Sequence, residues 1–365
     1  MNISTINFDS FQKLKDDDCQ ERIIKAKKTL GKDLLILGHH YQNEAVYRHA
    51  DFAGDSLKLA QHVQNVEAKY IVFLGVHFMA EVSDILSRDN QITILPDLSA
   101  GCSMADMANL AKVERTYREI SKVLDFDEKI TPVTYINSAA DLKAFCGEHQ
   151  GIVCTSTNAP KILNWAFKQK EKALFFPDQN LGRWTGYKMG IPLDKMPVWD
   201  PDLPLGGLTE KQIIESKILL WKGHCAVHQM FRVESIKDFK KNYPNGNVIS
   251  HPEAPFEVCK NSDLVGSTEF ILRTIEKADP GSEWLVGTEL NLVNRLAKEM
   301  KAEGKLVKFM SHVICECSTM ARIDPQHLAW TLESLIKENP VNIIKVPQKE
   351  ADLARLTLDK MLEVS

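Results

Sequence analysis

Residues 132–178 read PVTYINSAADLKAFCGEHQGIVCTSTNAPKILNWAFKQKEKALFFPD. Three short apolar runs stand in this stretch, Pro132–Thr134, Gly151–Cys154 and Ala173–Phe176, and each ends in polar residues. Between them, Ser138–Glu148 and Asn158–Lys168 carry apolar residues at three- and four-residue spacing, the period of a helix with one buried face. Ser and Asn at their starts can accept the free backbone N–H groups of a first helical turn. The order is strand, helix, strand, helix, strand, which predicts a parallel sheet.

Outward from this stretch the same order recurs on both sides. Leu34–Leu37 leads into Gly38-His39-His40-Tyr41, and Asn247–Ser250 leads into His251-Pro252-Glu253, as Pro132–Thr134 leads into Tyr135-Ile136-Asn137. A second run follows each. Tyr70–Leu74 precedes Gly75-Val76-His77-Phe78 and Asp263–Val265 precedes Gly266-Ser267-Thr268-Glu269, the counterparts of Thr155-Ser156-Thr157-Asn158. A third run ends in an acid: Ile92–Leu95 with Asp97, Ala173–Phe176 with Asp178, Glu283–Val286 with Glu289. The repeat predicts an α/β fold of three similar βαβαβ domains, each with three α/β/α layers, related by pseudo-threefold symmetry around a central site. The expected divisions are an N-terminal tail 1–19, domains at 20–112, 113–228 and 229–340, and a C-terminal helical segment 341–365 that closes against the first domain. Ligands of such sheets bind beyond the carboxyl ends of the strands, where every polar triplet falls.

Eight cysteines stand at 19, 102, 146, 154, 225, 259, 315 and 317. Cys19, Cys146, Cys154 and Cys259 fall in helical or strand patterns and read as packing residues. Cys102, Cys225 and Cys317 fall in polar turns after the repeated units, one per domain, each ahead of a helical stretch that would favour a thiolate. Three converging thiolates suit a cubane iron–sulfur cluster with one iron left open, since a structural zinc site takes four protein ligands. Cys315 is open between a fourth ligand, a redox partner of Cys317 and no role. The plainer reading of Ser156, Thr157, Ser267 and Thr268 is helix capping, and a capped helix start is also an anion site.

Composition narrows the class. With 44% hydrophobic and 26% charged residues in 365, the chain can build two or three cored domains. Its net charge of -4, with no basic cluster interleaved with aromatics, disfavours a nucleic-acid partner. The first 18 residues carry three consecutive acids and no apolar core, so no export signal is expected, and no apolar run is long enough for a membrane span. The expectation is a soluble cytoplasmic protein, in which a disulfide framework is disfavoured.

A family resemblance runs from about Ile23 to about Leu335. It is carried by LGHHYQ (37–42), GDSLKLA (54–60), GVHFMAE (75–81), PDLSAGCSMAD (96–106), TYINS (134–138) and CTSTNA (154–159). It continues through FPDQNLG (176–182), GHCAVH (223–228), ISHPEAP (249–255), GSTEF (266–270), GTELNL (287–292) and CSTM (317–320). In these segments the chain resembles the quinolinate synthases. The chain departs from the commoner family pattern at Ser318, Ala254 and Lys222.

The resemblance implies one [4Fe–4S] cluster with three cysteine ligands, at positions matching Cys102, Cys225 and Cys317. It implies substrate contacts at His39, Tyr41, Ser56, Tyr135, Asn137, Ser156, His228, His251, Glu253 and Thr268, with Thr157 and Ser267 as neighbours. The implied substrates are iminoaspartate and dihydroxyacetone phosphate, with an aspartate-oxidising enzyme upstream. Glu253 beside His251 is the expected base, and Tyr41 and His39 the expected proton donors to leaving hydroxyls. Two rivals remain at this point. A redox carrier or sensor would need a fourth ligand, and a metal-free binder of a phosphorylated metabolite would leave three turn cysteines idle.

Overall fold

The computed structural model describes residues 6–313 and 316–365, so Cys315 lies outside the described residues. Strands β1 (Leu34–His39), β2 (Phe52–Gly54), β3 (Tyr70–Leu74) and β4 (Ile92–Ile94) form one sheet in the order β2-β1-β3-β4. A second sheet holds β5 (Ile130–Tyr135), β6 (Ile152–Cys154), β7 (Lys172–Phe176), β8 (Val198–Trp199) and β9 (Ile218–Trp221) in the order β6-β5-β7-β9-β8. The third has β10 (Asn247–Ser250), β11 (Leu264–Val265), β12 (Glu283–Gly287) and β13 (Leu306–Phe309) in the order β11-β10-β12-β13. The ladders of all three sheets are parallel. The predicted α/β class with three parallel-sheet domains is present.

Alternation along the strands shows why helices cover both faces. Val248 and Leu285 turn to one side, against Ile236, Phe239 and Val258. Their chain neighbours Ile249, Trp284 and Val286 turn to the other, against Ile271, Ile275, Val293 and Leu296. A sheet apolar on both faces is stable only as the middle of three layers. In the second sheet, Leu174, Phe176, Leu219 and Trp221 form a core with Val113, Ile120, Leu142 and Phe145 of the covering helices.

The repeat is real but the sequence places the first unit one strand out of step. Each sheet has a short edge strand after its first strand: β2, β6 and β11. In the first unit this is Phe52–Gly54, three residues without a clear apolar run, so the sequence pattern aligns Tyr70–Leu74 with β6 and β11 instead. The counterpart of Thr155-Ser156-Thr157 is therefore the turn at Gly54-Asp55-Ser56, and not Gly75-Val76-His77. Each cysteine turn follows the fourth strand of the repeat, β4, β9 or β13.

The first sheet belongs to one compact unit, which the chain leaves after Cys102 and rejoins over Glu316–Val346. The second and third sheets belong to another unit, together with Pro347–Ser365. The segment 341–365 does not act as one piece closing on the first domain. Ile343 bridges Ile94, Ile344 N–H donates to Thr93 and Val346 N–H to Asp84, so these residues extend the first sheet's edge. The helix Gln348–Val364 instead lies on the helix Ala140–Glu148 of the second sheet. Gly147 permits that approach, because a Cβ there would lie 2.3 Å from the backbone oxygen of Leu353. Among the described residues no helix is long and apolar enough to cross a membrane.

Candidate active site

The ends of β5 and β10 bring three predicted residues of the second unit together. Tyr135 is the last residue of β5, and its hydroxyl donates to Glu253 Oε1 at 2.6 Å. Glu253 sits in the turn after β10, with its other oxygen 2.9 Å from His228 Nδ1. The His228 and His251 rings stack with centroids 4.8 Å apart. All four residues are buried, none more than 4% exposed. A carboxylate this far from water must be held by donors or become neutral.

The donors win. Burial would raise the Glu253 carboxyl, but the adjacent His251 and His228 and the hydrogen bonds from His228 and Tyr135 outweigh it and hold it at about 2. His251 moves the other way: burial pushes it down to about 3, past the opposing pull of Glu253. At neutral pH the cluster is thus an ionised Glu253 beside a neutral His251. His251 Nδ1 faces the backbone N–H of Glu253 at 3.4 Å, which leaves Nε2 as the nitrogen that carries the proton.

The strand-end hydroxyls divide into two groups. Ser267 caps the helix Thr268–Glu276, its Oγ accepting from Phe270 N–H, and both Ser267 and Thr268 are buried. Ser156 is half-buried and Thr157 exposed. Neither caps the following helix Ala159–Gln169, whose N-cap is Asn158, a residue that folds back onto Thr155 N–H at 2.6 Å. Asn137 is half-buried, and its Oδ1 is buried without a hydrogen-bond partner among the described residues.

In the first unit, His39 ends β1 and is buried, with Tyr41 N–H donating to its Nδ1 at 3.2 Å. The Tyr41 ring meets the His39 ring edge-on at 4.6 Å between centroids. Ser56 opens the helix Ser56–Val63, one residue after its N-cap Asp55.

The cysteines separate by environment. Cys19, Cys146, Cys154 and Cys259 are buried, and burial raises all four thiols, Cys19 to about 11 and Cys259 to about 12. Cys102, Cys225 and Cys317 are only partly buried. A one-turn 3-10 helix begins three residues after each of them, at Ala105–Met107, His228–Met230 and Met320–Arg322. Partly exposed thiols in turns, unlike the four packed ones, have the donor chemistry of cysteine ligands to a cluster. Independently, donor atoms of Cys225, His228 and Glu253 lie within 4.8 Å of one another, a set able to grip a single metal ion.

Sequence reasoning passed over Asn180 and Arg322 and gave Asp97 and Asp178 no role beyond hydrogen bonding. Asn180 Nδ2 donates to the backbone oxygen of Glu253, and Arg322 pairs with Asp97 at 2.8 Å. An acid just beyond a strand's carboxyl end was the available signal for each, although the two follow different strands of the repeat, Asp97 after β4 and Asp178 after β7.

A family model described as quinolinate synthetase A protein matches residues 21–363. A protein of Herpetosiphon aurantiacus named quinolinate synthase is 50% identical over 351 residues, covering 96% of this chain and 93% of its own. Proteins of the same name from Corynebacterium glutamicum and Acidobacterium capsulatum are 49% and 48% identical, each covering 98% of this chain and 90% and 96% of their own. The match spans nearly the whole chain at high identity, and the chain belongs to the quinolinate synthetase A family.

Proposed function

We propose that this chain condenses iminoaspartate with dihydroxyacetone phosphate to quinolinate, phosphate and water, in the cytoplasm and downstream of an aspartate-oxidising enzyme. The observation that carries the reading is the buried Tyr135–Glu253–His228–His251 cluster at strand carboxyl ends in a chain of this family. Cys102, Cys225 and Cys317 would hold one [4Fe–4S] cluster. When bound, a cluster with three thiolate ligands supplies a Lewis acid at its fourth iron.

The substrates bring carboxylates and a phosphate. Neutral donors suit them, because they stabilise anions without a buried cation. Ser156, Thr157, Ser267, Thr268, Tyr135 and the Nδ2 amide of Asn137 take this role, with Ser56 in the first unit. His251 donates Nε2–H to a substrate oxygen. Glu253 orients His228 through the 2.9 Å contact and receives the proton removed beside the imine or carbonyl. At about 2 its proton affinity is low, so Tyr135 must turn its hydroxyl from Glu253 to substrate for the carboxylate to act as a base. His39 and Tyr41 deliver protons to departing hydroxyls.

The test is anaerobic turnover of the reconstituted full chain, following quinolinate. Product that disappears on exposure to air and in Cys102→Ala supports the reading. A full cluster with no product refutes it. The close grouping of Cys225, His228 and Glu253 favours a second reading, a single zinc-like ion. Metal analysis separates the two: about four irons per chain for the cluster, about one zinc for the single ion.

A further inference from the structure

The chemistry proposed above uses neither Asp97 nor Asp178. Asp178 is 0% exposed. It caps the helix Gln179–Lys188, with Oδ1 accepting from Leu181 N–H at 2.7 Å. Capping alone needs no burial, since a Ser or Thr at the surface serves as well. Two more backbone amides face the same carboxyl group, those of Asn180 and Cys225. The second comes from a different segment, and Oδ2 is left without a full hydrogen bond among the described residues.

The neighbours of Asp178 stitch the same segments. Gln179 N–H donates to the carbonyl of Gly223 at 2.9 Å. Gly223 comes so near that a Cβ there would lie 2.2 Å from the backbone oxygen of Pro177. Asn180 Nδ2 donates to the backbone oxygen of Glu253 at 3.2 Å and reaches Gln229 Oε1 at 3.4 Å. One short turn thus grips the loop that carries Cys225 and His228, and also the turn that carries Glu253.

Asp97 does the equivalent in the first unit. Its Oδ1 accepts from Ser99 N–H at 2.8 Å, three residues before Cys102. Its Oδ2 pairs with Arg322 Nε at 2.8 Å, five residues after Cys317. The acid therefore ties the turn of Cys102 to the turn of Cys317.

We infer that Asp97 and Asp178 are positioning residues that hold the cysteine turns, Asp97 those of Cys102 and Cys317, and Asp178 with Asn180 that of Cys225 against Glu253. The inference rests on the reading of these thiols as metal ligands and deepens it. Neither acid touches substrate in this account; each acts through the segment it fixes.

The experiment is site-resolved alkylation of the cluster-free full chain with iodoacetamide, read by mass spectrometry, in Asp178→Asn, Asn180→Ala and Asp97→Asn. Asp178→Asn presents an amide to the Cys225 N–H in place of a carboxyl group. The expected result is a change of about fivefold or more in the Cys225 rate, with Cys102 and Cys317 within about twofold. Asp97→Asn should give the opposite pattern. The buried Cys19, Cys146, Cys154 and Cys259 serve as internal reporters of unfolding. After reconstitution, kcat should fall about tenfold with KM for dihydroxyacetone phosphate within about threefold. A uniform change at all three turn cysteines, or no change in a folded variant, overturns the inference. If Asp178→Asn melts below the assay temperature, Asn180→Ala carries the same test at Cys225. Failure of the wild-type chain to make quinolinate would remove the proposed function, while the alkylation pattern would still decide the positioning.

Discussion

Glu253 shows what a buried residue can and cannot do alone. A carboxylate with two close donors is ionised but a weak base, so its reactivity depends on when those donors leave. Tyr135→Phe removes the 2.6 Å donor without changing the size of the ring. A donor to the charged form lowers a pKa, so its loss should raise that of Glu253 and move the acidic limb of the kcat/KM profile to higher pH. An unmoved limb would assign that titration to another group. Glu253→Gln keeps the shape and removes the base, and kcat should drop about 10²- to 10⁴-fold in a protein that still holds its iron. Near-normal turnover would end the base assignment. The polar triplets at Tyr135 and Glu253 were legible because strand ends recur in the sequence. The contact between them was not, for they are 118 positions apart and nothing in either triplet names its partner. Asn180 was illegible for the same reason, since its contact with Glu253 is made to a backbone oxygen.

Among elements, legibility varied from strand to strand. β3, with five buried apolar residues, was plain in the sequence. β2 has three residues, two of them only half-buried, and it escaped; with it went the correct alignment of the first unit. Length alone did not decide this, since β6, also of three residues but apolar and fully buried, was read. The C-terminal helix was legible as a helix but not in its docking, which depends on the bare face of Gly147 in a distant element. Gly147→Ala tests that docking because two effects compete. Alanine in a helix is favoured over glycine by up to about 1 kcal/mol. Against this, a Cβ placed 2.3 Å from a backbone oxygen forces the two helices apart, an overpacking that costs about 1–3 kcal/mol. The clash should win, lowering the melting temperature and speeding proteolysis near residues 347–365. A stabilised variant would show that the helix Gln348–Val364 shifts at little cost.

For the molecule as a whole, the chain's path through its compact units was the least legible feature. The first unit is completed by Glu316–Val346, so one unit draws on both parts of the sequence. The boundary of a unit is set by which segments share a core, and a linear repeat does not report that. Its stability should respond to acid in a way that buried histidines dictate. His49 in the first unit is buried, with Nε2 2.5 Å from Gln20 Oε1. Burial, followed by the charges of Lys27 and Arg48, lowers it from 6.5 to about 4, against the pull of Asp51. Its folded value lies below its unfolded one, so the unfolded chain takes up a proton first as pH falls. The stability this neutral histidine contributes is complete above about pH 6.5 and is lost as pH falls through 4. Asp178 works in the opposite sense, its carboxyl raised by burial and by Glu253, so the total slope mixes signs. The difference between wild type and His49→Gln isolates the histidine, since glutamine keeps a hydrogen-bonding end and cannot titrate. Between pH 6.5 and 4 the wild type should lose stability faster than His49→Gln, by up to about 1.4 kcal/mol per pH unit in urea titrations. Parallel curves would mean that His49 takes its proton in the folded state as readily as in the unfolded chain.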